Sequence, residues 1–515
     1  MIQNDPPFNR AILGILFTTL FFIVSSFTLT VIASPYIVGD LGGDRTITSY
    51  GLSFFGFGTA MSIPLARPLA ARWGERKTLI LSVLLFGLMN LLCGFASTYF
   101  YFVSARLLTG FVSGPFYPLL ANFFSRFVPP SKKVLVQSIF VTILVVVPVL
   151  GACWSGTIAY LFHWSLPFFV NTAAALLLSA LLYHSLENSP MEASIDWMGW
   201  SFYAFGIFCL TFAIATAQQL DWYRSPLWTA SLITGLLAFG YYLVRSFTHD
   251  TPVLNLRLLK KPIFTLALLC LALLFGCYFG MILLLSLWLK LDVQFTPNWI
   301  AILIGHMAIA GLFPLFILEE KFGHIDPRIW LLLATTLLAG SCFYTTIFDQ
   351  ETNFGRIALS RIIAGFGLAL FLPPIFQILS RCYDGSKWNE VFAIFQCVRN
   401  LACGIGASLF SIAWERRSVF YHERLNENLS LQTNAVETFL DNTATLQAPG
   451  FPLAYLNDFL NKTASSLALD DLFYLMGWIL TALIVLLLCT FLFQRDHFNL
   501  SKIQSNEETH REKTH

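Results

Sequence analysis

Fourteen apolar stretches recur along this chain with mostly short polar connections between them. They lie near 11–34, 49–69, 78–97, 100–123, 135–160, 165–184, 197–217, 226–246, 263–288, 298–318, 329–348, 356–380, 390–413 and 472–494. About twenty apolar residues is the length a helix needs to cross a bilayer. Within hydrocarbon each backbone polar group has to find its partner inside the protein, which leaves helices or closed barrels. Stretches of this length specify helices. The chain is therefore read as an all-α integral membrane protein with fourteen transmembrane helices. Composition agrees, with 56% hydrophobic and 12% charged residues, where a soluble domain carries about 25% charged residues. The stretch from Ala11 to Val31 is too long for a signal h-region and lacks a convincing cleavage site, so it reads as the first span.

Positive charge sets the expected orientation. Of the 31 Lys and Arg residues, twenty fall in the tails and the connections on the amino-terminal side, eight on the opposite side and three inside spans. Both termini are thus expected in the cytoplasm, and the long polar segment 414–471 outside. Net charge is +2, which implies no polyanion and no nucleic-acid partner. The ten cysteines lack metal-site spacing. No nucleotide loop, metal cluster or nucleophile arrangement stands out, so neither an enzyme nor a cofactor is expected.

The two halves share a sentence. Arg106 opens R-L-L-T-G-F-V-S-G-P-F-Y-P and Arg361 opens R-I-I-A-G-F-G-L-A-L-F-L-P. Gly110, Phe111, Phe116, Pro118, Ser125 and Arg126 recur as Gly365, Phe366, Phe371, Pro373, Ser380 and Arg381, offset by 255 residues. Arg106 is on the fourth span and Arg361 on the twelfth, eight helices apart. Two six-helix bundles separated by an inserted pair account for that number. The expected division is 1–190, an inserted pair in 191–250, and 251–494 with the outer loop 414–471, followed by a tail at 495–515. A repeated membrane unit with a buried charge in each copy reads as a two-lobed transporter with its site between the lobes.

The permanent charges expected inside the membrane are Arg106, Arg361 and Arg399, and no Asp or Glu accompanies them at depth. The nearest carboxylates are Glu319, Glu320, Glu390, Asp470 and Asp471. Arginine does not exchange a proton at reachable pH. His306, near the middle of the tenth span, is the candidate proton site. Three buried cations favour neutral or anionic cargo, with Arg361, Phe111, Tyr117 and Phe366 as candidate pocket residues.

Several motifs carry a family resemblance. Leu69, Arg72, Gly74 and Arg76 before the third span resemble the gating loop of the major facilitator superfamily, with Ala71 where that pattern has Asp. Arg106 and Gly110 resemble its fourth-helix R-x-x-x-G signature, in which the arginine is linked to proton coupling. Pro148, Gly151, Ala152, Ser155 and Gly156 resemble the exporter signature of the fifth helix. Asp221-Trp222, the run from Thr251 to Leu256 and the run from Arg399 to Gly406 resemble the fourteen-helix drug:proton antiporter family, and among its members the EmrB-type multidrug exporters. The resemblance implies a small-molecule exporter in a bacterial inner membrane, coupled to proton import through Arg106 and Arg399. It also implies a periplasmic adaptor and an outer-membrane channel as partners. Ser26 stands where the family often keeps an Asp in the first helix, which leaves room for a proton-independent facilitator or an exchanger of anionic metabolites such as siderophores. A non-transporting scaffold or sensor is the remaining alternative.

Overall fold

The computed structural model describes residues 9–43, 47–129, 132–187, 196–312, 326–383, 387–427, 438 and 451–493. Seventeen α-helices cover most of them. In the first half these are α1 (Arg10–Thr28), α2 (Thr30–Leu41), α3 (Tyr50–Ser62), α4 (Ala66–Trp73), α5 (Glu75–Gly94), α6 (Tyr99–Ser113), α7 (Phe116–Phe127), α8 (Lys133–Leu161) and α9 (Leu166–Ser185). The helices at the position of the expected inserted pair are α10 (Trp197–Thr216) and α11 (Pro226–Thr248). The second half contains α12 (Pro262–Leu291), α13 (Pro297–Leu312), α14 (Pro327–Thr345), α15 (Phe354–Cys382), α16 (Trp388–Glu427) and α17 (Phe451–Phe493).

Twelve of the described helical spans are long and apolar enough to cross a membrane, and Thr30–Leu41 and Pro297–Leu312 are shorter apolar helices. The expected count of fourteen is not reproduced as fourteen uninterrupted helices. The second expected span is segmented, because a 3₁₀ turn at Ile63–Leu65 containing Pro64 separates α3 from α4. The tenth corresponds to α13, beyond which residues 313–325 lie outside the described set.

Proline and glycine shape the bundle. Pro35 inside α2 has no N–H for the Val31 carbonyl, and the Ser34 hydroxyl donates there instead at 3.1 Å. Helices α3 and α6 meet backbone to backbone. A methyl group at Gly58 would overlap the Leu107 carbonyl oxygen, and one at Gly110 the Phe55 carbonyl oxygen. Gly365 is placed equivalently, since a methyl there would overlap the Met307 carbonyl of α13. The repeated R-x-x-x-G is thus a helix-contact device in both halves.

Across the middle, α3 packs on α16, α8 on α13, and α12 on α2. Helix α10 lies over the seam, touching both α3 and α16.

In the segment 414–471, expected outside with helical stretches near 417–432 and 453–467, the described residues are helical. Helix α16 continues to Glu427 and α17 begins at Phe451. Its 40 residues make α16 about 60 Å long at 1.5 Å per residue, twice the hydrocarbon thickness. The ends of α16 and α17 pair beyond the bundle. Trp414 Nε1 donates to the Ser465 carbonyl at 3.0 Å, and Asp471 accepts from Arg417 Nε and the Tyr421 hydroxyl, both at 2.8 Å.

Candidate functional site

Helix α16 turns Gln396, Arg399 and Asn400 toward the other half, at the spacing that shares one helical face. From the first half α7 brings Tyr117. The Arg399 guanidinium carbon lies 5.3 Å from the Tyr117 ring centre and 5.9 Å from that of Phe275, within cation–π range. Both Tyr117 and Arg399 are buried. Aromatic walls continue around them: Phe27 is 5.0 Å from Phe279, and Tyr278 is 4.7 Å from Phe279. The Tyr278 hydroxyl donates to the Val145 carbonyl at 3.1 Å, from one half to the other. Both polar atoms of the Gln396 side chain and Nε of Arg399 are buried without a partner. Unmet buried donors and acceptors are costly. At an interface between two halves they offer positions for a ligand's polar groups. Gln396 was missed from sequence; its position three residues before Arg399 was the available signal.

Contacts cross this interface near both of its ends. At one end Lys290 Nζ donates to the Tyr36 hydroxyl at 3.0 Å and lies 4.9 Å from its ring centre. At the other, which carries Gly74, Arg67 is 3.6 Å from Glu390, and Asn255 Nδ2 donates to the second Glu390 oxygen at 2.9 Å. Phe140 of α8 meets Phe376 and Phe392 in the same region. A cavity of about 740 Å³ opens beside this second set of contacts, walled by Arg67, Pro118, Asp250, Asn255 and Glu390.

Arg106 sits inside the first half, with each nitrogen partnered. Nε donates to the Gly51 carbonyl at 2.9 Å, and Nη2 to the Ser26 and Phe27 carbonyls at 2.8 and 3.1 Å. Nη1 lies 3.4 Å from the Ser26 hydroxyl, which reaches Asn90 Oδ1 at 3.3 Å. Helix α1 ends at Thr28, so its last carbonyls lack helical donors and present the negative end of the helix dipole. Arg106 caps that end.

The structure does not bring Arg361 to the interface. Its Nη2 donates to Thr345 and Ser360 hydroxyls at 2.8 Å and Ser341 at 3.4 Å, within the second half. Phe111 faces α10, 6.4 Å from Trp200. Phe366 is half-buried on α15.

His306 also departs from expectation. Ile302 and Ile309, one turn to either side on its face of α13, are 50% and 70% exposed, so His306 belongs to an outward-facing stripe. Its Nδ1 is 2.7 Å from the Ile302 carbonyl and its ring is 6.3 Å from Phe354. Among the carboxylates, Glu390 pairs with Arg67, Asp471 pairs with Arg417, and Glu319 and Glu320 lie outside the described residues.

In the expected gating loop, Gly74 has φ of 87°, which glycine adopts without strain. Arg72 is exposed and Leu69 half-buried. Arg76 donates to the Tyr183 carbonyl and lies 4.4 Å from that ring's centre. The loop's buried acid is Glu75, which accepts from Arg126 at 2.7 Å and Asn122 at 3.3 Å. That pairing was not foreseen. The helix-five motif packs on α1 and α2. Thr28 donates to the Pro148 carbonyl at 2.6 Å, and Gly151 and Gly156 give the close approach to Ser25 and Ile32.

Comparison with known proteins agrees with the fold. The family model of the Major Facilitator Superfamily matches residues 15–407. Fatty acid resistance protein FarB of Neisseria gonorrhoeae is 27% identical over 438 residues, covering 83% of this chain and 86% of that protein. Multidrug export protein EmrB of Escherichia coli (strain K12) is 27% identical over 440 residues, covering 83% and 85%. Among solved structures, a peptide transporter POT in complex with sulfate superposes with a TM-score of 0.61 at 15% identity, covering 94% of this chain and 97% of that one.

Proposed function

This chain belongs to the major facilitator superfamily, and from that membership we propose that it is a secondary exporter moving small amphiphilic molecules by alternating access. One observation carries the reading. Arg399 stacks on Tyr117 across the two halves, with Gln396 on the same face of α16, and the halves also touch through Tyr36 and Lys290 at one end and through Arg67 and Glu390 at the other. A site between them is reached from one side at a time when the halves rock. The bias of Lys and Arg supports a cytoplasmic Gly74 end with both termini inside, and the bacterial relatives support an inner membrane. Arg67 with Glu390 is then the inner closure and Tyr36 with Lys290 the outer one.

The cargo proposed is a neutral or anionic amphiphile. Arg399 offers a cation with no carboxylate in salt-bridge range among the described residues, and the aromatic walls suit an apolar body. A relative named for fatty acid resistance supports a monocarboxylate with an apolar tail. The paired ends of α16 and α17 are proposed to dock a periplasmic adaptor that leads to an outer-membrane channel. Val419, Phe420, Leu453, Tyr455 and Phe459 are exposed there, 40–54% each. Export is proposed to be driven by proton import. A proton-independent exchanger is the second reading, favoured by Ser26 beside Arg106 in place of a carboxylate.

The test is transport into proteoliposomes of a long-chain fatty acid and of ethidium, comparing wild type with Arg399→Gln. Loss of a buried charge-assisted contact, worth about 2 kcal/mol, reduces carboxylate uptake more than tenfold while ethidium changes little. Equal losses for both probes reject the anionic cargo. Absence of transport for each probe, with and without a proton gradient, rejects the exporter.

A further inference from the structure

The second half contains a permanent charge that its own residues do not balance. Arg361 on α15 is 1% exposed, held between α14 and α17, with Phe473 of α17 5.7 Å from its guanidinium carbon. One nitrogen, Nη2, meets the hydroxyls of Ser341, Thr345 and Ser360. The other two, Nε and Nη1, are buried with no acceptor. The three hydroxyls lie within donating distance of carbonyls: Ser341 to Ser360 O at 2.9 Å, Thr345 to Ser341 O at 2.7 Å, and Ser360 to Ser341 O at 3.3 Å. No carboxylate of the described residues is in salt-bridge range of this guanidinium.

Arg106 is the internal contrast. The same arginine of the repeat, stacked likewise on a phenylalanine of its half's last helix (Phe168, 5.9 Å), has a partner for each nitrogen, two of them carbonyls at the negative end of α1. Arg361 has hydroxyls on one nitrogen alone. It cannot shed its charge by losing a proton. An isolated cation away from water is far more costly than an unmet neutral donor, so the deficit concerns charge as well as hydrogen bonds. Water would satisfy the donors and leave the charge. A small anion satisfies both.

We propose that the Arg361 guanidinium binds a small inorganic anion of chloride's size and charge inside the second half, between α14, α15 and α17. The site is separate from the interface that holds Arg399, and it does not depend on what the protein transports. Occupied, it ties Ser341 and Thr345 of α14 to Arg361 of α15 beneath Phe473 of α17. The anion then belongs to the folded state and is released on unfolding.

The experiment uses the purified full-length chain in detergent. Its unfolding temperature is followed as sodium chloride replaces sodium gluconate at constant ionic strength. A ligand bound by the native state alone raises that temperature with concentration, here by about 1–2 °C near ten times its dissociation constant. The rise is expected to vanish in Arg361→Gln and to persist in Arg356→Gln, an exposed arginine on the same helix. Ser360→Val, a gentler change, is expected to raise the half-maximal chloride concentration at least threefold. Crystals soaked in bromide are expected to show an anomalous peak within hydrogen-bond distance of the guanidinium. Should Arg361→Gln fail to fold, Ser360→Val and the bromide peak decide. Equal unfolding temperatures in gluconate and chloride overturn the proposal. So does a chloride effect that survives Arg361→Gln, or a bromide map without a peak at this arginine.

Discussion

Ser26 meets Arg106 twice, its hydroxyl 3.4 Å from Nη1 and its carbonyl accepting from Nη2 at 2.8 Å. The position thus holds the arginine without offering a proton to exchange at neutral pH. Ser26→Asp would put a titratable group in the same place, against a guanidinium already fixed by three carbonyls. Substrate-induced proton movement in proteoliposomes is expected to rise several-fold over wild type in this variant. Unchanged movement would separate this position from coupling altogether.

Much of the architecture was legible because the length of an apolar run is a local property. The repeat around Arg106 and Arg361 was legible too, and Gly110 and Gly365 show what it encodes, a close helix contact in each half. What the sequence could not show is the direction a side chain faces. Position along a span gives depth in the bilayer, not depth in the bundle. Arg361 and His306 share similar depth by count, yet one is enclosed in its own half and the other lies on an outward stripe. The Glu75–Arg126 pair joins residues 51 apart, and Arg67–Glu390 joins opposite halves, so neither has a signature in local spacing. Helical stretches near 417–432 and 453–467 were legible inside the long polar segment, but their continuity with the membrane helices α16 and α17 was not. Polar residues between a span and an outer helix read in a sequence as a break.

His306 carries the next prediction. A group that binds a proton on one side and releases it on the other must face the space that alternates. His306 instead stacks near Phe354 on the periphery of α13. His306→Ala is expected to leave substrate-induced proton movement within about twofold of wild type, as surface changes usually cost little. A loss of tenfold or more would require a route for protons along the outer face of α13.

Asp196 fastens the base of α10 to α11. It caps α10 by accepting from the Gly199 N–H at 2.9 Å, and it accepts from Arg245 of α11 at 2.6 and 2.9 Å. Burial works to raise its pKa, but the hydrogen bonds from Arg245 and Gly199 outweigh that and hold it below the usual carboxylate range. A carboxylate with a depressed folded pKa contributes stability that is fully present above its unfolded value, near 3.9. That contribution fades as pH falls from there through the folded value. The unfolding temperature of Asp196→Asn should therefore fall below that of wild type at pH 7, with the gap closing below about pH 4. Asparagine keeps the cap, so Asp196→Ala should cost about 1 kcal/mol more. A gap independent of pH would show that the charge contributes nothing.

Tyr203 of α10 spans the seam between the halves. Its hydroxyl donates to the Ala60 carbonyl of α3 at 2.9 Å and lies 3.4 Å from Cys397 Sγ of α16, while the Cys397 thiol is itself 3.6 Å from Ala60 O. The side chain is buried and its ring lies 5.0 Å from that of Tyr242. Rocking of the halves that parts α3 from α16 at this level must break the clasp. Tyr203→Phe removes the hydroxyl and keeps the ring, so packing is retained and about 1 kcal/mol of closure is lost. That amounts to about a fivefold shift between closed and open populations at the Arg67–Glu390 end. Distances between spin labels at positions 72 and 387, exposed near that end and outside the Arg67–Glu390 contact, would show a larger open fraction in the variant. The pair at Tyr36 and Lys290 should respond in the opposite sense, since a transporter that opens at one end closes at the other. Identical distance distributions for wild type and Tyr203→Phe would mean that α10 rides passively on one half.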